Sequence, residues 1–137
     1  MTFQDLPDDW SDRSLTPDLL PDIVDLFVSD EAKSAGCLAL LVLDSELRML
    51  QPIVISEMAG HRPGEGGGDF LEQFAAMLDE SGARVVAALG RLGDVPPSEG
   101  DVAWASYLRD SLGGRLVAVF LATRDAVVEI GPTTAAA

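Results

Sequence analysis

Three stretches of this chain, 37–43, 83–89 and 116–122, are apolar almost without a break. Each is too short for a buried helix and reads as a strand covered on both faces. Two further runs, 48–56 and 126–130, read as strands, and Pro52 within the first hints at an edge or a bulge. Between the strands the apolar spacing changes to the helical period. Leu19, Leu20, Ile23, Leu26 and Phe27 recur at that spacing behind Thr16 as N-cap and Pro17 at the first helical position. Asp69 would cap a helix through Ser81 with Phe70, Phe74, Met77 and Leu78 on its apolar face and Gly82 as its stop. Ser98, with Asp101 three positions on, approaches a capping box for a helix that presents Trp104, Ala105, Leu108 and Leu112. The predicted order is α-ββ-α-β-α-ββ. Strands buried on both faces need helices on both sides, so the expected architecture is a three-layer α/β/α sandwich around a mixed sheet.

The length, 137 residues, suits one domain. Residues 17–131 are expected to form it. Residues 1–16 are expected to form an acidic, flexible arm and residues 132–137 a disordered tail. Acidic residues outnumber basic ones 23 to 9, for a net charge of −14. Such a chain is repelled by nucleic acid and by anionic membrane surfaces. The acids run from Asp5 to Glu129 without a block of like charge, which favours a solvated face. The other reading is a docking face for a basic protein partner. No apolar run reaches the length that spans a bilayer. The first ten residues carry three Asp and no basic cluster, and the one cysteine, Cys37, lies in an apolar run. The expected setting is therefore cytoplasmic.

Candidate chemistry concentrates in residues 88–101, A-L-G-R-L-G-D-V-P-P-S-E-G-D, between the third strand and the third helix. Gly93-Asp94, Pro97-Ser98 and Asp101 stand at the spacing of a longer motif, a strand running into His-x-His-Pro-Ser-Gly-Asp-x-x-Pro-Ser-x-x-Asp and then a helix. In this respect, and in its element order, the chain resembles the JAMM (MPN) metallopeptidase family, above all its RadC-type bacterial members, with their cytidine-deaminase-like fold. The opening 38–45, L-A-L-L-V-L-D-S, is similar to that family's first strand and turn. The resemblance implies a zinc site on two histidines and an aspartate, with an upstream glutamate as general acid/base. The two histidine positions fall here on Ala88 and Gly90, which cannot coordinate a metal. Asp101 alone remains, with Glu31 as the nearest candidate for the glutamate. A catalytic zinc needs about three protein ligands and an open position. The resemblance thus implies a relative without metal, cofactor or catalytic residue, acting as a protein-interaction or assembly module.

Bland readings accompany each candidate. Asp101 and Ser98 serve the start of their helix. His61, the only histidine, and the neighbouring Glu65 and Asp69 belong to a polar Gly-rich loop. Gly66-Gly67-Gly68 lacks the Lys-Ser/Thr of a phosphate loop. Met49, Met58 and Met77 read as packing. An edge strand at 48–56 or 126–130, or a helix pair, would serve a symmetric dimer. Two rivals remain open at this point. One is a hydrolase with a rearranged metal site using Asp101, Glu57 or Glu65 and His61. The other is an acidic decoy for a basic nucleic-acid-binding protein.

Overall fold

The computed structural model describes residues 19–56, 68–93, 97–123 and 126–130. The described chain runs through α1 (Leu20–Phe27), α2 (Asp30–Ala35), β1 (Cys37–Leu43), β2 (Met49–Ser56), α3 (Gly68–Ser81), β3 (Arg84–Gly90), α4 (Glu99–Leu112), a 3-10 turn (Gly113–Arg115), β4 (Leu116–Ala122) and β5 (Val127–Glu129). The strands form one mixed sheet in the order β2-β1-β3-β4-β5. β1 is antiparallel to both β2 and β3, β3 and β4 are parallel, and β5 returns antiparallel to β4.

Successive side chains of a strand point to opposite faces, and in β1 both sets are apolar. Leu38, Leu40 and Val42 join Leu71, Phe74 and Leu78 of α3 and Ala105, Leu108 and Leu112 of α4 in one buried cluster. Cys37, Ala39, Leu41 and Leu43 join Leu20, Ile23 and Val24 of α1 in a second. Complete burial of a Leu or Val side chain contributes about 1.5–3 kcal/mol, so the two clusters are the main stabilising mass of the fold.

Local signals account for most boundaries. Gly82 takes φ +68, and the pair Gly82 N–H to Asp79 O and Ala83 N–H to Leu78 O closes α3 in a Schellman motif. The turn between β1 and β2 is built on Asp44, whose Oδ1 accepts from the backbone N–H of Glu46 and Arg48 at 2.8 and 2.9 Å.

Four expectations are corrected. The stretch before β1 holds a second helix, α2, capped by Ser29, whose Oγ accepts from Ala32 N at 3.1 Å; its six residues, DEAKSA, have no apolar repeat to reveal it. The inward stripe of α3 is Leu71, Phe74, Ala75 and Leu78. Met77 lies off that stripe and is 46% exposed rather than packed. α3 begins at Gly68, one residue inside the expected loop. α1 begins at Leu20 with Pro21 in its first turn, whereas Thr16 and Pro17 lie outside the described residues, as do the arm 1–16 and the tail 132–137.

Pro52 sits on β2, at an outer edge of the sheet, where a missing donor is tolerated. Both edge strands or their neighbours are bulged. Val42 pairs Gln51 and Leu43 pairs Met49, which leaves Leu50 as the extra residue. Val85 pairs Leu116 and Val86 pairs Ala118, which leaves Val117. These two extra residues are among the exposed large hydrophobics of the chain, as expected where a bulge turns a side chain out of the ladder.

Candidate functional site

Parallel strands bring their carboxyl ends to one rim of the sheet, the usual place for a ligand in an open α/β sheet. Here that rim holds Gly90 of β3 paired with Ala122 of β4, and the loop that leads into α4. The backbone continues the pairing one step further, with Arg91 N–H donating to Ala122 O at 3.1 Å.

Positions 86, 88 and 90 of β3 face the side of the sheet that carries α1 and α2. Ala88 is fully buried in that cluster, between its strand partners Ala39 and Phe120. Gly90 is closer still to its surroundings. A Cβ there would lie 2.5 Å from Cys37 Sγ, 2.9 Å from Val28 Cγ1 and 3.6 Å from Lys33 Cγ. Glycine at 90 is therefore demanded by the approach of α2 and β1, and neither position has space for an imidazole.

Asp101 stands at the third position of α4. One of its oxygens, Oδ2, accepts from Ser98 N–H at 2.7 Å, while Ser98 Oγ accepts from Asp101 N–H at 3.2 Å. This reciprocal pair is a complete capping box. The same carboxylate also takes Arg91. Nε donates at 3.1 and 3.0 Å to the two oxygens, and Nη2 donates to Oδ2 at 2.8 Å. The Asp101 side chain is 8% exposed and that of Arg91 26%. Burial disfavours the Asp101 anion, but the Arg91 guanidinium and the Ser98 N–H outweigh it and hold the carboxyl below its ordinary pKa. A third Arg91 donor, Nη1, reaches Leu92 O at 2.9 Å and fixes the first turn of the loop. Gly93 follows at φ +100.

α2 turns Lys33, not Glu31, toward the sheet. Glu31 is exposed. Lys33 is 3% exposed, with carboxylate oxygens of Asp25 and Asp30 at 3.9 and 3.7 Å. Burial pushes the Cys37 thiol above its ordinary pKa, against the smaller opposing effects of the Gly90 backbone and Lys33. Cys37 is thus a protonated, enclosed thiol at neutral pH and not a nucleophile.

These residues do not fit a catalytic zinc. The two positions that the resemblance assigns to histidine, Ala88 and Gly90, are apolar and filled, Asp101 is held by a guanidinium, and Glu31 is exposed. Among the described residues no group of three or more His, Cys, Asp or Glu side chains is gathered to hold a metal ion. Asp94, Glu57, His61 and Glu65 lie outside the described residues, so the rearranged-site constellation is not assembled by anything described. A cavity of about 420 Å³ opens at the opposite rim, lined by Arg109, Gly113, Leu116, Val117, Ala118 and Glu129, with no histidine, serine or cysteine among them.

Sequence reasoning identified the capping role of Ser98 and Asp101 but missed Arg91 and Lys33. The available signals were slight. Lys33 is the only lysine of the chain, and Arg91 is the first charged residue after an apolar strand. No family model matches the chain, and no curated protein matches it. No described helix is long and apolar enough to cross a membrane.

Proposed function

We propose that this chain is a non-catalytic domain of the JAMM/RadC-like kind, a three-layer α/β/α sandwich with a cytidine-deaminase-like arrangement, that serves as a protein-interaction or assembly module. The element order supports the fold, since α2 is the only helix added to the expected α-ββ-α-β-α-ββ. Helices from both ends of the chain contribute to separate apolar clusters on alternate residues of β1, which supports the layering. The observation that carries the functional reading is the Arg91–Asp101 pair. At the one position where the resemblance leaves a metal-binding carboxylate, both oxygens are taken by an internal cation and a helix cap. A carboxylate so engaged would have to give up the Arg91 and Ser98 hydrogen bonds before it could coordinate an ion, and among the described residues no neighbour would complete the site. A cytoplasmic setting is part of the proposal, on the strength of a single enclosed cysteine.

Zinc analysis tests the reading. The full chain, purified from zinc-replete cells without chelator, should contain far less than one zinc per molecule, and added zinc should not raise its melting temperature. A metal that binds only the folded state raises stability by RT ln(1 + [L]/Kd). One zinc per chain, or a melting temperature that climbs with zinc, would sink the proposal.

A further inference from the structure

The two edges of the sheet are unlike in charge. β5 is three residues long and ends in the exposed Glu129. β2 runs eight residues, Met49–Ser56, with no ionisable side chain, in a chain of net charge −14. Helices α2, α3 and α4 offer no comparable surface. α2 exposes Asp30 and Glu31, α3 exposes Glu72, Asp79 and Glu80, and α4 exposes Glu99 and Asp110. Two copies approaching through any of those faces bring like charges together. Through β2 they do not.

β2 also carries apolar residues on both of its sides, with Gln51 and Ser56 as the polar exceptions. Pro52 and Val54 lie opposite Leu41 and Ala39 of β1, on the side of the sheet that carries α1 and α2. On that face α1 packs chiefly on β4 and β5 and α2 on the central β3; of β2, Met49 packs against their cluster. Val54 remains 39% exposed and the bulge residue Leu50 58% exposed. On the other side Ile53 and Ile55 are only half-buried against the α3–α4 cluster. A strand edge in antiparallel pairing is self-complementary, because each copy offers the same donors and acceptors in reversed order. Pro52 removes one donor, and the bulge at Leu50 breaks the ladder behind it. The usable ladder is thus confined to residues 53–56. That restriction disfavours recruitment of arbitrary strands and leaves the apolar side chains to supply most of the association.

We propose that β2 is the seam through which two copies of this chain pair, antiparallel about a twofold axis, into one continuous sheet. The inference rests on the reading of the chain as an assembly module and names its partner as a second copy. Ile53 and Ile55 of each copy then complete the core edge of the other. The −14 charge on each copy makes the pairing salt-dependent in an unusual sense. Screening relieves repulsion between the bodies, so added salt tightens it.

Sedimentation equilibrium on the full chain decides the matter. The mass should rise with concentration from 14.5 kDa toward twice that value, and at lower concentration when salt is added. Val54→Lys places two like charges across the axis and should weaken the dimer at least tenfold. Leu50→Lys should weaken it in the same direction. Val117→Lys makes the same change of charge at an exposed residue away from β2 and should leave the dimer intact, with circular dichroism melts confirming that all three variants fold. A monomer at every concentration overturns the seam, whether the edge is covered by another segment of the chain or by a foreign peptide. So does a dimer that ignores both Val54→Lys and Leu50→Lys. Zinc content stays a separate readout: a zinc-free monomer defeats only the seam, while a zinc-loaded chain defeats the underlying reading whatever its mass.

Discussion

Gly90→Ala should destabilise the fold by about 2–3 kcal/mol, the cost of forcing a methyl group into a closed core. For a chain of this length that is a fall in melting temperature of roughly 6–12 °C. The reason is the environment of the added carbon, 2.5 Å from Cys37 Sγ and 2.9 Å from Val28 Cγ1. Neither neighbour is the loose end of a flexible side chain. Cys37 is held in β1, and Val28 is β-branched with few rotamers to choose from. Gly114→Ala is the matched control, because a Cβ there meets nothing within 4 Å; it should be neutral or slightly stabilising, through the unfolded chain. A double variant, Gly90→Ala with Cys37→Ala, should lose less than the sum of its parts, since the sulfur is the closer obstacle. Urea denaturation of the wild type, Gly90→Ala, Gly114→Ala, Cys37→Ala and the double variant measures all of this. Equal stability of Gly90→Ala and Gly114→Ala would show that the cleft is not closed at this point, and the argument against an imidazole at 90 would go with it.

Much of the frame was visible in the residues alone, for reasons that differ by element. The strands β1, β3 and β4 announce themselves because burial on both faces leaves no polar position to break the run. Pro52 marks β2 as an edge because a proline cannot serve a central ladder. Gly82 and the Ser98–Asp101 pair are legible because helix ends impose local chemistry on a few adjacent residues. What was hidden is what depends on residues distant in sequence. Nothing local says that β1 lies between β2 and β3, or that Leu50 and Val117 are the extra residues of bulges, since both follow from register with another strand. α2 escaped because its formation rests on a serine cap and on Lys33 turning inward, not on an apolar repeat. Met77 was assigned to the core because single-face counting cannot fix the centre of a helical stripe to within one residue. At the candidate site, the resemblance points to Ala88, Gly90 and Asp101 in one short stretch of sequence. It does not disclose that Arg91 closes on Asp101, nor that Cys37 and Val28 fill the space beside Gly90, because both contacts join residues that no motif links.

Loss of the Asp101 carboxylate should be as damaging as the intrusion at Gly90, and its pH dependence identifies the cause. Asp101→Ala removes the acceptor for Ser98 N–H and the bidentate partner of Arg91 in one step. A lost N-terminal cap costs about 1 kcal/mol, and the loss of the charged hydrogen bonds between Asp101 and the part-buried guanidinium adds about 1–3 kcal/mol. The expected loss is about 2–4 kcal/mol. Arg91→Lys should recover only part of the wild-type stability when compared with Arg91→Met, because an ammonium cannot grip both oxygens in the planar fashion of a guanidinium. Asp101→Asn isolates the charge, since it keeps the shape and one acceptor for the helix cap. The folded-state pKa of Asp101 lies below its ordinary value. The carboxylate therefore contributes stability that is fully present above the unfolded pKa of about 3.9 and disappears as pH falls through the lower folded value. The gap between wild type and Asp101→Asn should accordingly be constant near neutrality and close on acidification below about pH 4. Asp44 and Asp79 also have lowered pKa values, from the Arg48 backbone and Arg115 respectively, but they are common to both proteins and cancel in the difference. A carboxylate kept for metal binding would behave otherwise. Its removal would relieve an anion with no internal partner, and Asp101→Asn would match or exceed wild type in metal-free buffer at pH 7. Chemical denaturation of the two proteins across pH 3 to 7 separates these outcomes, and a stabilised Asp101→Asn at neutral pH would show that the Arg91–Asp101 pair does not stabilise the fold.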